Sequence, residues 1–168
     1  MKYRQMNLPP TKPHGQAGAM RGILLTIFLL GVLGTGAELL LLEHTEDLWQ
    51  WVPLLLIALS LAALILHAAV RRAASMRVFQ ATMVLFLLSG VTGLLLHYKG
   101  NVEFKSETNP SLAGMELFWE AMKGKAPPAL APGMMIQIGL LGLAYTYRHP
   151  VLRAPTEKTE STNTGEQL

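Results

Sequence analysis

Four long apolar stretches constrain the fold of this 168-residue chain more than any other feature of its sequence. A helix rises about 1.5 Å per residue, so about 20 apolar residues cross the roughly 30 Å of hydrocarbon in a bilayer. Glu38 is the one formally charged residue within the stretches, which cover residues 23–42, 51–70, 78–98 and 126–147. The sequence therefore predicts an all-α integral membrane protein with four transmembrane helices.

Short connections between the first three spans predict an up-down bundle in which consecutive helices are antiparallel neighbours. We expect one membrane domain over residues 21–149, with spans near 21–42, 51–70, 78–98 and 126–147. The fourth stretch is the weakest because prolines interrupt its first part, so it is either a full span or a shorter tilted or re-entrant helix. Flexible tails are expected at residues 1–20 and 150–168, which are rich in Pro, Gly, Thr and Glu.

Lysine and arginine are distributed unequally between the two sides of this predicted bundle. Counted on alternate sides of four spans, ten lie on the side that holds both termini and four lie on the other. The positive-inside rule then places both termini on the cytoplasmic side of a bacterial-type cytoplasmic membrane. An alternative is that residues 1–37 form a cleaved signal peptide, since basic residues precede an apolar core that ends in small residues.

The long outer connection, residues 99–125, contains a second helical pattern. Leu112, Met115, Trp119 and Met122 recur at helical spacing. Asn109-Pro110 is typical of an N-cap followed by proline at the first helical position, and Gly124 is a stop signal. We expect a short amphipathic helix between the third and fourth spans, lying on the membrane surface or acting as a lid over a cavity.

Composition removes several classes of function. The chain contains no cysteine, which excludes thiol–disulfide exchange, Cys-ligated zinc and iron–sulfur clusters. The net charge of +3 comes from basic residues that flank the spans, so it indicates membrane topology and not nucleic-acid binding. No phosphate-binding glycine loop or nucleophile motif is visible, and we assign no catalytic residues.

Polar residues within the spans define a candidate polar interior, because polar side chains in a membrane helix generally face the inside of a bundle. Its members are Glu38, Ser60, His67, Thr82, Ser89, His97 and Gln137. We expect Glu38 to pair with His97 in the outer half of the membrane, where the pair would relay protons or bind a cation. The alternative is that Glu38 fixes helix register through one hydrogen bond.

Each span carries or is followed by a histidine near its C-terminal end, namely His44, His67, His97 and His149. A helix C-terminus favours a cation or a donor, which explains these positions without a ligand. Bis-histidine haem b sites use pairs on two levels, as His44 with His97 and His67 with His149 would provide. A divalent metal held by His44, His97 and Glu43 is a further alternative.

The sequence thus predicts a small multi-pass membrane protein that binds, scaffolds or assists transport, with a polar interior around Glu38 and His97. The alternative is a haem- or metal-binding redox subunit that uses the two histidine pairs. No cofactor is predicted for the leading interpretation. The predicted partner is the lipid bilayer, with a membrane-protein partner or a homo-oligomer left open and nucleic acid excluded.

Overall fold

The computed structural model describes residues 13–43, 48–123 and 130–153, with side chains from residue 16 onwards. These residues form helices and short connections, and no strand occurs among them, which confirms the all-helical prediction. The helices are α1 (Pro13–Leu41), α2 (Leu48–Val70), α3 (Ala73–Thr108), α4 (Gly114–Met122) and α5 (Leu130–Thr146), followed by a 3₁₀ turn (Pro150–Leu152).

Three of these helices, α1, α2 and α3, are long and apolar enough to cross a membrane. They contain 29, 23 and 36 residues, which correspond to lengths of about 43, 35 and 54 Å. The fourth apolar helix, α5, has 17 residues and a length of about 26 Å, somewhat less than a typical hydrocarbon thickness. The structure therefore supports membrane insertion, with α5 as a shorter apolar helix.

Helix α3 is the centre of the assembly: it packs most extensively against α5 and then against α2. Helix α1 packs mainly on α5 and touches α2 only weakly. The predicted contact between the first two spans is therefore present but small, and α1 packs mainly on the fourth apolar helix. Glycines explain the difference, because those in α5 allow other helices to approach it more closely than the large side chains of α2 would.

The tightest packing lies between α3 and α5. A Cβ atom added at Gly90 would lie 2.7 Å from the carbonyl oxygen of Pro132, and one added at Gly139 would lie 2.9 Å from that of Met83. The adjoining core on α1 and α3 is made of large side chains, with the rings of Phe28 and Phe79 in edge-to-face contact at 5.3 Å. These contacts fix the relative positions of α1, α3 and α5.

The outward surfaces of the long helices are apolar. Leu30, Leu55 and Ile65 expose 67%, 62% and 71% of their side chains, although each lies in the middle of its helix. A helix that is hydrophobic on all sides is typical of a membrane span, where lipid covers the outer face.

The connection between the third and fourth apolar stretches differs from its prediction in where the helices end and begin. Helix α3 continues to Thr108, beyond the predicted end of the span at residue 98, and the N–H of Asn109 donates to the carbonyl of Lys105 at 2.9 Å. Asn109 therefore ends α3, and the prediction that it begins the amphipathic helix is wrong. That helix is present as α4 but begins at Gly114. Gly124 lies outside the described residues.

Helix α4 packs against the extension of α3. Lys105 forms an ion pair with Glu120 at 3.1 Å, and Nδ2 of Asn101 donates to the carbonyl of Ala121 at 3.0 Å. Because this charged part of α3 is helical, Asn101 and Lys105 lie about one turn apart on the same face, and both reach partners on α4.

Candidate functional site

A cavity of about 600 Å³ lies between α1, α2, α3 and α5, in the half of the molecule that holds the α1–α2 connection. Most of its lining is apolar, with Leu39, Val52, Leu56, Leu85 and Met135 contributing side chains from all four helices. This volume is within the range of pockets that bind small organic molecules.

The cavity exists because side-chain size changes along α3. The half of α3 nearer its N-terminus carries Phe79, Met83 and Phe86, which are completely buried and fill the core. One turn further on, Ser89, Thr92 and Gly93 line the cavity at the same depth as Pro132 of α5. The small side chains leave a space between the helices, whereas the large side chains of Phe79, Met83 and Phe86 fill the corresponding space nearer the N-terminus of α3.

Thr35 is the buried polar residue of this cavity. It lines the cavity and is only 5% exposed, and its hydroxyl has no hydrogen-bond partner among the described residues. Other threonines in the same helices bond to the carbonyl four residues earlier, as Thr26 does to Gly22 and Thr82 does to Val78, both at 3.0 Å. A buried hydroxyl without a partner is unusual and costs free energy.

The predicted polar interior is divided between two places at this end of the molecule. Ser89, half-buried, and His97, exposed, both line the cavity together with Gln50. Glu38 and Gln137 lie instead in a separate surface groove of about 470 Å³ between α1 and α5, and both are exposed. The structure therefore brings Ser89 to His97 and Glu38 to Gln137, but places Glu38 and His97 at different sites.

The remaining predicted interior residues are buried at the other end or in the middle of the bundle. Ser60 is fully buried and donates to the carbonyl of Ile57 at 2.8 Å. His67 is also buried, with its Nδ1 2.9 Å from Oγ of Ser75. Ser75 has one hydroxyl hydrogen and donates it to the carbonyl of Arg72 at 2.8 Å. With its hydrogen donated to Arg72, Ser75 accepts a hydrogen bond from Nδ1 of His67.

The structure brings together one of the predicted histidine pairs, His67 and His149. The rings of His67 and His149 meet edge to face with centroids 5.4 Å apart, and Nδ1 of His149 accepts the N–H of Val151 at 3.4 Å. Burial, followed by the nearby His67 and Arg21, lowers the pKa of His149. The direct ring contact leaves no space for a porphyrin between the two rings in this arrangement, and haem binding stays a prediction.

The other predicted histidine pair, His44 with His97, and the alternative metal site both need His44, which lies outside the described residues. Glu43 is exposed at the end of α1, and its backbone has a φ of 50°. Within the described ranges no group of three or more His, Asp or Glu side chains could hold a metal ion.

Sequence reasoning missed two contributors to these sites. Thr35 lies within the first apolar stretch, but nothing in its spacing shows that its hydroxyl lacks a partner. Arg21 was counted only as a topology signal, whereas its Nη2 donates to the carbonyl of Arg148 at 3.0 Å across 127 positions of sequence. A contact of this range has no local sequence signal.

Comparisons with models of protein families, with curated proteins and with solved structures find no match for this chain. The helices and the cavity therefore define the class of protein: an all-helical chain with three helices able to cross a membrane and an apolar cavity between four of its helices.

Proposed function

We propose that this protein is a small multi-pass membrane protein that binds an amphipathic ligand in the cavity between α1, α2, α3 and α5. The ligand has an apolar body and a hydrogen-bonding group such as a carbonyl or hydroxyl. The observation that carries this proposal is the apolar cavity of about 600 Å³ with the unpartnered hydroxyl of Thr35 beside it. A ligand group would satisfy that hydroxyl after rotation about the Cα–Cβ bond of Thr35.

The proposed topology has four spans in an up-down bundle with both termini in the cytoplasm. Pro132, near the start of α5, lies against Gly93, and Thr146, at its end, accepts a hydrogen bond from Gln80 at 3.1 Å. Helix α5 therefore runs antiparallel to α3 over much of the apolar depth, as a fourth span would. The excess of lysine and arginine on the side of the termini supports this orientation in a bacterial-type cytoplasmic membrane.

In this orientation the cavity lies in the outer half of the membrane. Its apolar lining suits a hydrocarbon chain or ring. Weak contact between α1 and α2 leaves the cavity least enclosed on the side between these helices, which would let a lipid-soluble molecule enter from the bilayer. A fatty acid or an isoprenoid alcohol has the required chemistry.

The proposal is tested by native mass spectrometry of the protein purified from membranes in a mild detergent. We expect a non-covalently bound apolar molecule on the wild-type protein and on Val91→Phe, since Val91 is 49% exposed and does not line the cavity. Ser89→Phe fills the cavity and should lose the adduct. Equal adducts on both variants would contradict binding in this cavity.

A further inference from the structure

We propose that the inner end of the bundle binds a phosphate group at Arg21, between α1 and the residues that follow α5. The source of the phosphate is either the headgroup of an anionic phospholipid or a soluble phosphate compound. This inference does not depend on the ligand of the outer cavity, because it concerns different residues at the opposite end of the helices.

Arg21 has an unused donor in a buried place. Its Nη2 donates to the carbonyl of Arg148 at 3.0 Å, which ties α1 to the end of α5. Its Nε is inaccessible to solvent and has no hydrogen-bond partner in the described part of the chain. The guanidinium group of an arginine does not lose its proton in a protein. Arg21 therefore stays charged, and its Nε–H stays without an acceptor.

Within the described ranges, the surroundings of Arg21 contain no carboxylate to balance its charge. The side chains of His149 and Tyr145 lie close enough to Arg21 for it to act on them electrostatically, and His67 contacts His149. Every acidic residue within the described ranges lies on the outer side of the helices: Glu38, Glu43, Glu103, Glu107, Glu116 and Glu120. The ion pairs found in those ranges, Lys99–Glu103 and Lys105–Glu120, are likewise at the outer end.

A half-buried cation without a counterion is unfavourable, and an anion would remove that cost. The planar guanidinium fork matches the oxygens of a phosphate, and basic pockets between helices on the cytoplasmic side are typical headgroup sites. Membrane topology alone explains exposed arginines such as Arg77. It does not explain why Arg21 is half-buried with an unpaired Nε.

The test uses the full chain, delipidated in detergent, and measures lipid binding by native mass spectrometry and the thermal unfolding midpoint. Phosphatidylglycerol is compared with diacylglycerol of the same acyl chains, which lacks the phosphate, and with inorganic phosphate. Because charge-assisted hydrogen bonds are the strong ones, we expect phosphatidylglycerol to bind about tenfold more tightly than diacylglycerol. Equal binding of the two lipids by the wild-type protein, with no effect of inorganic phosphate on the unfolding midpoint, overturns the proposal, whatever the variants do.

Variants then locate the site. Arg21→Gln should reduce phosphatidylglycerol binding to the level of diacylglycerol, and Arg21→Lys should fall between, because it keeps the charge but lacks the fork. Arg77→Gln removes the same charge from an exposed position on the same side and should bind like wild type. Equal losses in Arg21→Gln and Arg77→Gln would show that only overall charge matters, which contradicts the proposal.

Two further comparisons identify the anion. If inorganic phosphate raises the unfolding midpoint as much as phosphatidylglycerol and competes with it, the ligand is a soluble phosphate; if only the lipid acts, it is a headgroup. The C-terminal segment beyond the described part also has three acidic residues, Glu157, Glu160 and Glu166. If changing all three to Gln lowers the midpoint of the lipid-free protein and increases lipid binding, a carboxylate occupies the site and the proposal fails.

Discussion

A Cβ atom added to Gly90 would lie 2.7 Å from the carbonyl oxygen of Pro132, so α3 and α5 meet there backbone to backbone. The same Cβ would lie 2.6 Å from Cγ1 of Ile136 on the next turn of α5. This close approach aligns the two helices directly below the cavity that Gly93 and Pro132 line.

Gly90→Ala is therefore expected to destabilise the protein by about 1–3 kcal/mol, the usual cost of overpacking a core. Gly34→Ala is the matched control, because it is also a helical glycine and a Cβ there meets nothing within 4 Å. The control should be neutral or slightly stabilising, since alanine is the better helix former. The measurement is the thermal unfolding midpoint in detergent, and equal midpoints for the two variants would contradict the close α3–α5 contact.

Thr35→Val distinguishes the effect of the Thr35 hydroxyl on ligand binding from its effect on the stability of the fold. Valine has nearly the same shape but no hydroxyl, so it removes a buried polar group that has no described partner. We expect the ligand-free protein to become more stable, by up to about 1–3 kcal/mol, and ligand binding to become weaker. The unfolding midpoint of the ligand-free protein should thus rise, while the affinity measured from binding isotherms should fall. A variant that loses stability would show that the hydroxyl already has a partner.

The helical class of the chain could be predicted from the apolar stretches because membrane insertion depends mainly on local composition. The extent of α3 could not, since the charged residues after Tyr98 look like a loop until α4 supplies Glu120 as a partner for Lys105. Asn109 misled for the same reason: its side chain and Pro110 suit the start of a helix, but its N–H ends α3.

The candidate site was predictable only in part. Their polarity within a span assigned Ser89 and His97 to the predicted interior, and both line the cavity. Glu38 was expected beside His97, but it lies with Gln137 in the groove between α1 and α5. Helix periodicity defines faces on one helix, whereas the choice of which helix each face meets depends on close packing at Gly90 and Gly139.

Glu38 should lower the stability of the protein in a bilayer, because it is exposed on α1 about one and a half turns from Glu43 at the end of that helix. A carboxyl group within a span costs up to about 3 kcal/mol and less near its end. Glu38→Gln is expected to raise the unfolding midpoint in lipid nanodiscs, and Glu43→Gln is expected to leave it unchanged. Identical midpoints for both variants would mean that Glu38 lies in water.

Acidification should destabilise the inner end of the bundle. Burial, His67 on α2 and Arg21 on α1 lower the pKa of His149 below its usual 6.5 in the folded protein. The unfolded chain therefore takes up a proton first as the pH falls through about 6.5, so the stability from neutral His149 is present above that pH and lost below it.

The measurement is the unfolding midpoint between pH 7.5 and 5, a range of about one unit or more on either side of the usual histidine pKa. His149→Gln should flatten the decrease on the acidic side, whereas His97→Gln, which removes an imidazole at the opposite end, should keep it. A decrease of unchanged size in His149→Gln would assign it to other groups.

Ligand binding in the outer cavity is measured most directly through Trp49, which lines it. In a Trp51→Phe and Trp119→Phe background, Trp49 is the remaining tryptophan of the chain, and its fluorescence can be titrated with a fatty acid brominated near the middle of its chain. The account predicts saturable quenching that Ser89→Phe abolishes and Val91→Phe retains. Quenching that rises without saturation and equally in all three proteins would contradict the proposed ligand site.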